Sequence, residues 1–290
     1  MIVDAHYHLD PRLESIARLS AQMREHGIGR VALIAAACDP LHVGKAGVAF
    51  VRAMRRALAG AAPRLGRILY RSTVHGSGRV SFLSRSVPIY PEPDNDAVEQ
   101  ALLAHPDKFV GWLFLNPRAE VPVEEAERRF SHPWWIGVKA HPFWHRYPVA
   151  ELDDVAALCQ ERGKPMLVHL GAGAHRGDFR RLPERFPRLN VIYAHAGIPW
   201  YGTLWDDAVR RKNVFVDLSS PYLDKALRHR ALRTLGASRC LYGSDGPYGY
   251  PARDGGYDHG AILRQIEQAG LSPLDLDRVL GGNFKAMAAV

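Results

Sequence analysis

Thiol chemistry is nearly absent from this 290-residue chain, which holds three cysteines, Cys38, Cys159 and Cys240. They are odd in number and far apart, so a disulfide scaffold is not expected and a reducing cytoplasm is the expected compartment. No Cys-x-x-Cys pair is present, which disfavours a thiolate zinc site. Long apolar runs are missing too. No stretch approaches the roughly 18–20 apolar residues of a membrane span, so no membrane partner is expected. The opening Met1-Ile2-Val3-Asp4-Ala5-His6 lacks the basic flank and apolar run of a secretory signal. Nor does any Gly-x-Gly-x-x-Gly turn follow a strand candidate, which removes support for a dinucleotide fold. What remains, 47% apolar and 23% charged residues, is the composition of an ordinary folded protein.

The formal charge is +8 and there are 14 histidines. The cations, among them Arg24, Arg52, Arg55, Arg56, Arg128, Arg129, Arg210 and Arg211, are spread over helix-like segments. That pattern reads as a solvated surface, and no nucleic-acid partner is expected.

Eight short apolar runs alternate with helical patterns. Ile2–Ala5, Arg30–Ala35, Phe109–Phe114, Ile136–Ala140, Pro165–His169, Val191–His195, Val214–Leu218 and Cys240–Gly243 read as buried strands. Leu13, Ile16, Leu19 and Met23 recur at helical spacing before Gly27, and Ile262, Leu263, Ile266 and Ala269 before Gly270. Eight strand–helix units in this length suit a single (β/α)8 TIM barrel over residues 1–290. One crossover is too long. Residues 41–93 read as an insertion after the second strand, a lid or dimer arm. Within it an amphipathic helix runs through Val43, Phe50, Met54 and Leu58. Two strands, Ile68–Val74 and Arg79–Leu83, then flank the turn His75-Gly76-Ser77-Gly78.

The chemistry sits at the strand ends. His6 and His8 form His-x-His, and alternation along a strand sends both to one face, where they can share an ion. His169 closes the fifth strand, His195 the sixth, and Asp245 follows the last. In a barrel these ends share the rim where active sites are built. Metal ligation would remove the cost of burying Asp245 there.

The segments Val3-Asp4-Ala5-His6-Tyr7-His8, Gly137-Val138-Lys139-Ala140-His141-Pro142, Val168-His169, Ala194-His195-Ala196-Gly197 and Gly243-Ser244-Asp245 resemble the amidohydrolase superfamily. The likeness is to its aminocarboxymuconate-semialdehyde-decarboxylase-like branch, amidohydrolase family 2, and Val279-Leu280-Gly281-Gly282-Asn283-Phe284 is similar to that branch's closing segment. The resemblance implies that His6, His8, His169 and Asp245 bind one divalent metal, usually zinc. It implies that His195 stands beside the activated water and that Asp245 is general base. Lys139 lies where binuclear relatives carry a carboxylated lysine, so two metals are the alternative; otherwise it contacts substrate or is structural. The resemblance also favours a homodimer.

Around this core, His141, Trp144, Arg146, Tyr222 and Arg253 are candidate substrate contacts, Arg176 could help clamp a carboxylate, and the rim loops are rich in aromatics. His141 reads equally as a rim histidine before Pro142. The expected activity is hydrolysis of an amide, lactone or ester bond in a small anionic or aromatic molecule. Non-oxidative decarboxylation of an aromatic or dienoic acid is the alternative. A nuclease ranks lower, because Lys139 stands where such relatives carry glutamate.

Overall fold

The computed structural model describes residues 1–40, 45–82, 85–250 and 256–288. Eight parallel strands form one sheet, in chain order: β1 (Ile2–Leu9), β2 (Ile28–Ala35), β6 (Phe109–Leu115), β7 (Trp135–Ala140), β8 (Met166–Val168), β9 (Val191–Tyr193), β10 (Val214–Asp217) and β11 (Cys240–Leu241). Their central residues are buried on both faces, which is why they read as apolar runs rather than as alternation. The segment after β11 returns to β1 through Ala5 N–H to Tyr242 O (3.1 Å), His8 N–H to Gly246 O (2.6 Å) and a bridge between Tyr7 and Gly246. The sheet thus nearly closes into a (β/α)8 barrel.

Helices cover the outside. Helix α1 (Ile16–Glu25) starts at Ser15, whose side chain accepts from Arg18 N–H, and buries Leu19 and Met23. No helix among the described residues is long and apolar enough to cross a membrane.

The insertion differs from the sequence expectation in one element. Helix α2 (Lys45–Ala59) forms, and a second helix, α3 (Pro63–Arg71), takes most of the stretch read as the strand Ile68–Val74. That run is rich in β-formers, but tertiary packing overrides the propensity. Gly66 lets α3 press on α2 so closely that a Cβ there would lie 2.6 Å from Leu58 N. Only Val74–His75 (β3) stays extended, pairing antiparallel with β4 (Arg79–Phe82), which pairs in turn with β5 (Arg85–Pro88). The expected turn at Gly76-Ser77-Gly78 joins β3 and β4, with Gly78 at φ 70°. Met54, Leu58 and Tyr70 of the two helices belong to the barrel's own core, whereas Val80 and Ile89 make a small satellite with Cys38. Val43 and Leu83, also assigned to the insertion, lie outside the described residues.

Arg228, on the helix Lys225–Leu235, pins the loop after β10. It is fully buried and donates to Leu218 O (2.8 Å), Ser220 O (3.2 Å), Leu223 O (3.3 Å) and the Gln265 side chain. Arg228→Met removes the guanidinium's bonds to Leu218 O and the Gln265 side chain, leaves Ser220 O and Leu223 O only their donors Leu223 N–H and Tyr250 O–H, and lowers stability by about 3 kcal/mol. Urea unfolding measures this as a lower midpoint at unchanged slope; an unmoved midpoint would show that the guanidinium contributes nothing net.

Candidate metal centre

His6 and His8 project from the same face of β1 and bring their Nε2 atoms to 3.4 Å. Asp245 Oδ1 lies 3.5 Å from His6 Nε2 and 3.8 Å from His8 Nε2. Two donors on one tetrahedral zinc, each at 2.0–2.1 Å, stand ~3.3 Å apart, so these spacings suit a single ion. His195 joins from the turn after β9: one ring nitrogen, with donor atoms of His6 and Asp245, falls in a buried group within 4.8 Å.

The hydrogen bonds behind the rings fix which nitrogen faces inward. His6 Nδ1 meets Asp217 Oδ2 at 2.9 Å, and an ionised carboxylate only accepts, so Nδ1 carries the proton. His8 Nδ1 faces the carbonyl of Ala35 at 3.2 Å, which imposes the same tautomer. The Ser219 hydroxyl gives its proton to Asp217 Oδ1 and so accepts from His195 Nδ1–H at 2.8 Å. All three Nε2 lone pairs are thereby directed away from their tethers. Burial, reinforced by the Lys139 charge, keeps these imidazoles neutral: His6 and His195 fall well below the ordinary value, and His8 is pulled down to about 3. Neutral rings with free lone pairs beside a carboxylate are a donor set for a divalent cation.

The backbone is bent to deliver these groups. His195 (φ 53°), Ala196 (φ 55°), Ser220 (φ 75°) and Asp245 (φ 57°) are non-glycine residues in the left-handed region, which costs roughly 1–3 kcal/mol each. Asp245 is held by its N–H to His6 O (2.8 Å). Its Oδ2 lies 4.0 Å from His195 Nε2. Burial pushes the Asp245 carboxyl above the usual carboxylate range. Lys139, fully buried on β7, points Nζ at His6 Nε2 (3.5 Å), and burial pulls its ammonium down. Behind β1, Asp4 Oδ1 accepts from His6 N–H (3.1 Å) and Ser244 N–H (2.9 Å), and Oδ2 meets buried His259 (2.9 Å).

His169 is placed differently from the other histidines. Its Nε2 is 2.6 Å from the hydroxyl of Tyr70; that hydroxyl donates to Leu170 O at 3.2 Å, so it accepts from His169 Nε2–H. Its ring stacks on His141 (4.1 Å) and meets His195 edge-on (4.7 Å). Trp144 stacks on His141 (4.6 Å) and gives its backbone N–H to His141 Nδ1 (3.1 Å), so His141 carries its proton on Nε2. Tyr222 lies 5.6 Å from the His195 ring. Arg146, at φ 60°, reaches the insertion: its Nη1 lies 3.4 Å from where a Cβ on Gly76 would sit. Burial and neighbouring Arg146, Arg118 and Arg71 lower the Arg176 guanidinium. Arg253 lies outside the described residues. Of the rim aromatics, Tyr147 and Tyr201 pack as scaffold.

Two residues escaped sequence reasoning. Asp217 had a usable signal, an acid closing the apolar run Val214-Phe215-Val216. Tyr70 had none, since its stretch read as a strand within the insertion.

None of the curated protein sequences matches the chain. Solved structures match it end to end at low identity. One is 2,6-dihydroxybenzoate decarboxylase from Rhizobium (14% identity, TM-score 0.58, 99% of this chain and 98% of that one). Another is a probable 2-pyrone-4,6-dicarboxylic acid hydrolase from Acinetobacter baumannii with citric acid bound (13%, 0.65, 100% and 99%). A third is 5-carboxyvanillate decarboxylase from Sphingomonas paucimobilis (15%, 0.54, 100% and 99%). At such identities the likeness speaks for the fold. The model of the family described as amidohydrolase matches residues 3–286, nearly the whole chain. Site, fold and that match agree, and the chain belongs to the amidohydrolase family, whose members are metal-dependent enzymes.

Proposed function

We propose that the protein is a metal-dependent hydrolase that opens an amide, lactone or ester bond in a small, planar, anionic molecule. The observation that carries this reading is Asp245. One oxygen lies against the His6 and His8 nitrogens while the other faces His195, so a single carboxylate adjoins both the ligand set and the reaction space. His6, His8 and Asp245 would hold the metal, with the fourth position taken by His169 or His195. When bound, a divalent ion, zinc by the character of these donors, activates water near neutral pH and polarises a carbonyl oxygen.

The chain's own groups supply the rest. Asp245 Oδ2 takes a proton from the attacking water and returns it to the leaving group. Burial raises its proton affinity and makes it a stronger base toward the attacking water. Lys139 sets a cation at the floor, close to His6, where it offsets the buried Asp217 and Asp245 charges. Tyr70, Phe143 and Tyr222 close one side with aromatic faces that exclude water: Tyr70 stacks on Phe143 at 4.0 Å and meets Tyr222 edge-on at 6.2 Å. Arg146 and Arg176 add positive potential, which suits a carboxylate-bearing substrate. His141, with its proton on Nε2, and Trp144 line the neighbouring wall.

Decarboxylation of an aromatic acid is the second reading, favoured by the same aromatic enclosure and by similarity to two decarboxylases. A panel of pyrone lactones, aryl amides and hydroxybenzoates, assayed separately for ring opening and CO2 release, decides between them. Ring or amide opening with water consumed is the expected result; CO2 release alone would overturn hydrolysis in favour of the second reading.

Metal analysis of the purified protein is expected to give about one zinc-like ion per chain, matching one cluster of donors. About two ions with a carboxylated Lys139 in the mass spectrum would replace this scheme by a binuclear one. Asp245→Asn is expected to lower kcat by about 10^3, the scale of a lost acid–base group. Asp217→Asn, which exchanges an acceptor for a partial donor behind His6 and Ser219, should weaken zinc binding by about 10–100-fold in competition with a chromogenic chelator. Unchanged affinity would mean the tautomers are set elsewhere.

A further inference from the structure

The positive charge of the chain is not evenly spread. Residues 40–91 hold eight arginines and one lysine and no aspartate or glutamate, while the rest of the chain sets 29 cations against 30 acids. The whole excess therefore sits in the insertion. Elsewhere arginines lie against carboxylates: Arg118 against Glu151, Arg181 against Asp153, Arg211 against Asp207 and Arg264 against Asp258. Among the described side chains of the insertion only Arg55 has such a partner, Asp224 at 3.0 Å.

Helices α2 and α3 give these charges a common side. They turn Met54, Leu58, Gly66 and Tyr70 into the fold, so the opposite faces look outward. Arg52 and Arg56 are exposed on α2. On α3, Arg64, Ile68 and Arg71 follow at spacings of four and three and form an exposed stripe, with Leu65 beside it. Leu65 is 53% and Ile68 59% exposed, and Val48 on α2 is half exposed as well. Aliphatic side chains set among unpaired guanidinium groups gain by entering an apolar layer that lies just beneath a layer of negative charge. A nucleic acid supplies the charge without that layer, and residues 40–91 hold no asparagine or glutamine to read bases. A second copy docked through the same face presses these cations against their own kind.

We propose that the outer face of the α2–α3 hairpin docks on an anionic phospholipid surface, with Leu65 and Ile68 entering the headgroup region and Arg52, Arg56, Arg64 and Arg71 meeting phosphate groups. The inner face of α3 carries Tyr70, which stacks on Phe143 in the substrate wall. Docking thus brings that wall within one helix diameter, about 10 Å, of the membrane. The inference is independent of the metal-dependent reading above.

The full-length protein is sedimented with vesicles of phosphatidylcholine alone and of phosphatidylcholine mixed equally with phosphatidylglycerol. Binding to the anionic vesicles, absent from the neutral ones and weakened by salt, is the expected result. Arg52→Ser, Arg56→Ser and Arg64→Ser should each lower the partition coefficient about fivefold. Leu65→Ser/Ile68→Ser, which leaves the charge unchanged, should lower it about tenfold. Arg128→Ser/Arg278→Ser removes two exposed cations from outside the insertion and should leave it unchanged. Circular dichroism and the urea midpoint check that each variant is folded, and Leu65→Gln/Ile68→Gln replaces the serine pair if it is not. No binding to anionic vesicles overturns the proposal. An equal loss in Arg128→Ser/Arg278→Ser also overturns it, because binding would then follow net charge alone. So does full binding by the aliphatic pair, which would leave only phosphate contact, as on duplex DNA. A dimer in light scattering that the aliphatic pair turns into a monomer overturns it too, because the face would then be a subunit contact.

Discussion

The site depends on the burial of one carboxylate that does no chemistry. Asp217 closes β10 with no exposed surface, and an unpaired charge there would be prohibitive. It accepts from His6 Nδ1–H, His195 N–H, Ser219 N–H and the Ser219 hydroxyl. Three of these donors meet Oδ1 and one meets Oδ2, so both oxygens of Asp217 are engaged in holding the site's histidines and serine. Asp245 is the less engaged case: its oxygens face Nε2 atoms that have nothing to give, and the Ser220 side chain supplies a hydrogen bond. Two acids on neighbouring strand ends therefore have different roles because of the protons around them, not because of their own chemistry. Asp217 sets two histidine tautomers, while Asp245 turns its oxygens to the Nε2 side of the same rings.

Delivering these side chains requires backbone that strands do not provide. β9 ends at Tyr193 and β11 at Leu241, so His195 and Asp245 stand beyond regular pairing, in left-handed conformations. The strain is held by contacts on both sides. Asp245 is tied to β1 by its N–H, His195 to Asp217 by its N–H, and the loop with Ser219 and Ser220 is fastened by Arg228 from outside the barrel. Stability spent on a buried arginine thus becomes positional accuracy at the centre.

This division explains what the sequence made legible. Strands buried on both faces must be short apolar runs, so all eight could be read, their ends within a few residues. His-x-His could be read because strand alternation is local. Asp217 was within reach by the same reasoning that found Asp245. Tyr70 was not, because its partner His169 is 99 positions away and no local pattern reports that contact. The run from Ile68 to Val74 carries strand-forming residues, and what makes most of it helical is a glycine eight residues from the leucine it packs on. Local periodicity reports which face is buried, but not what a distant element will press against it.

The insertion then bears on how one barrel serves different reactions. Strand-end donors can activate water or stabilise a carbanionic centre with little change, so selectivity must come from the walls. Here one wall is built by α3, whose Tyr70 and Arg71 are neighbours in sequence but face different environments. Tyr70 is buried against Phe143 and His169, while Arg71 is exposed and contributes to the positive field at Arg176. Arg146 reaches from the β7 loop to the turn between β3 and β4, so the arginines and the aromatic ring share one scaffold. An aromatic face beside clustered guanidinium groups is the feature on which the proposed flat, anionic substrate rests. The charge of the chain matters locally rather than globally: Arg71, Arg118 and Arg146 stand close enough to lower the Arg176 guanidinium, whereas Arg228 is spent inside the fold.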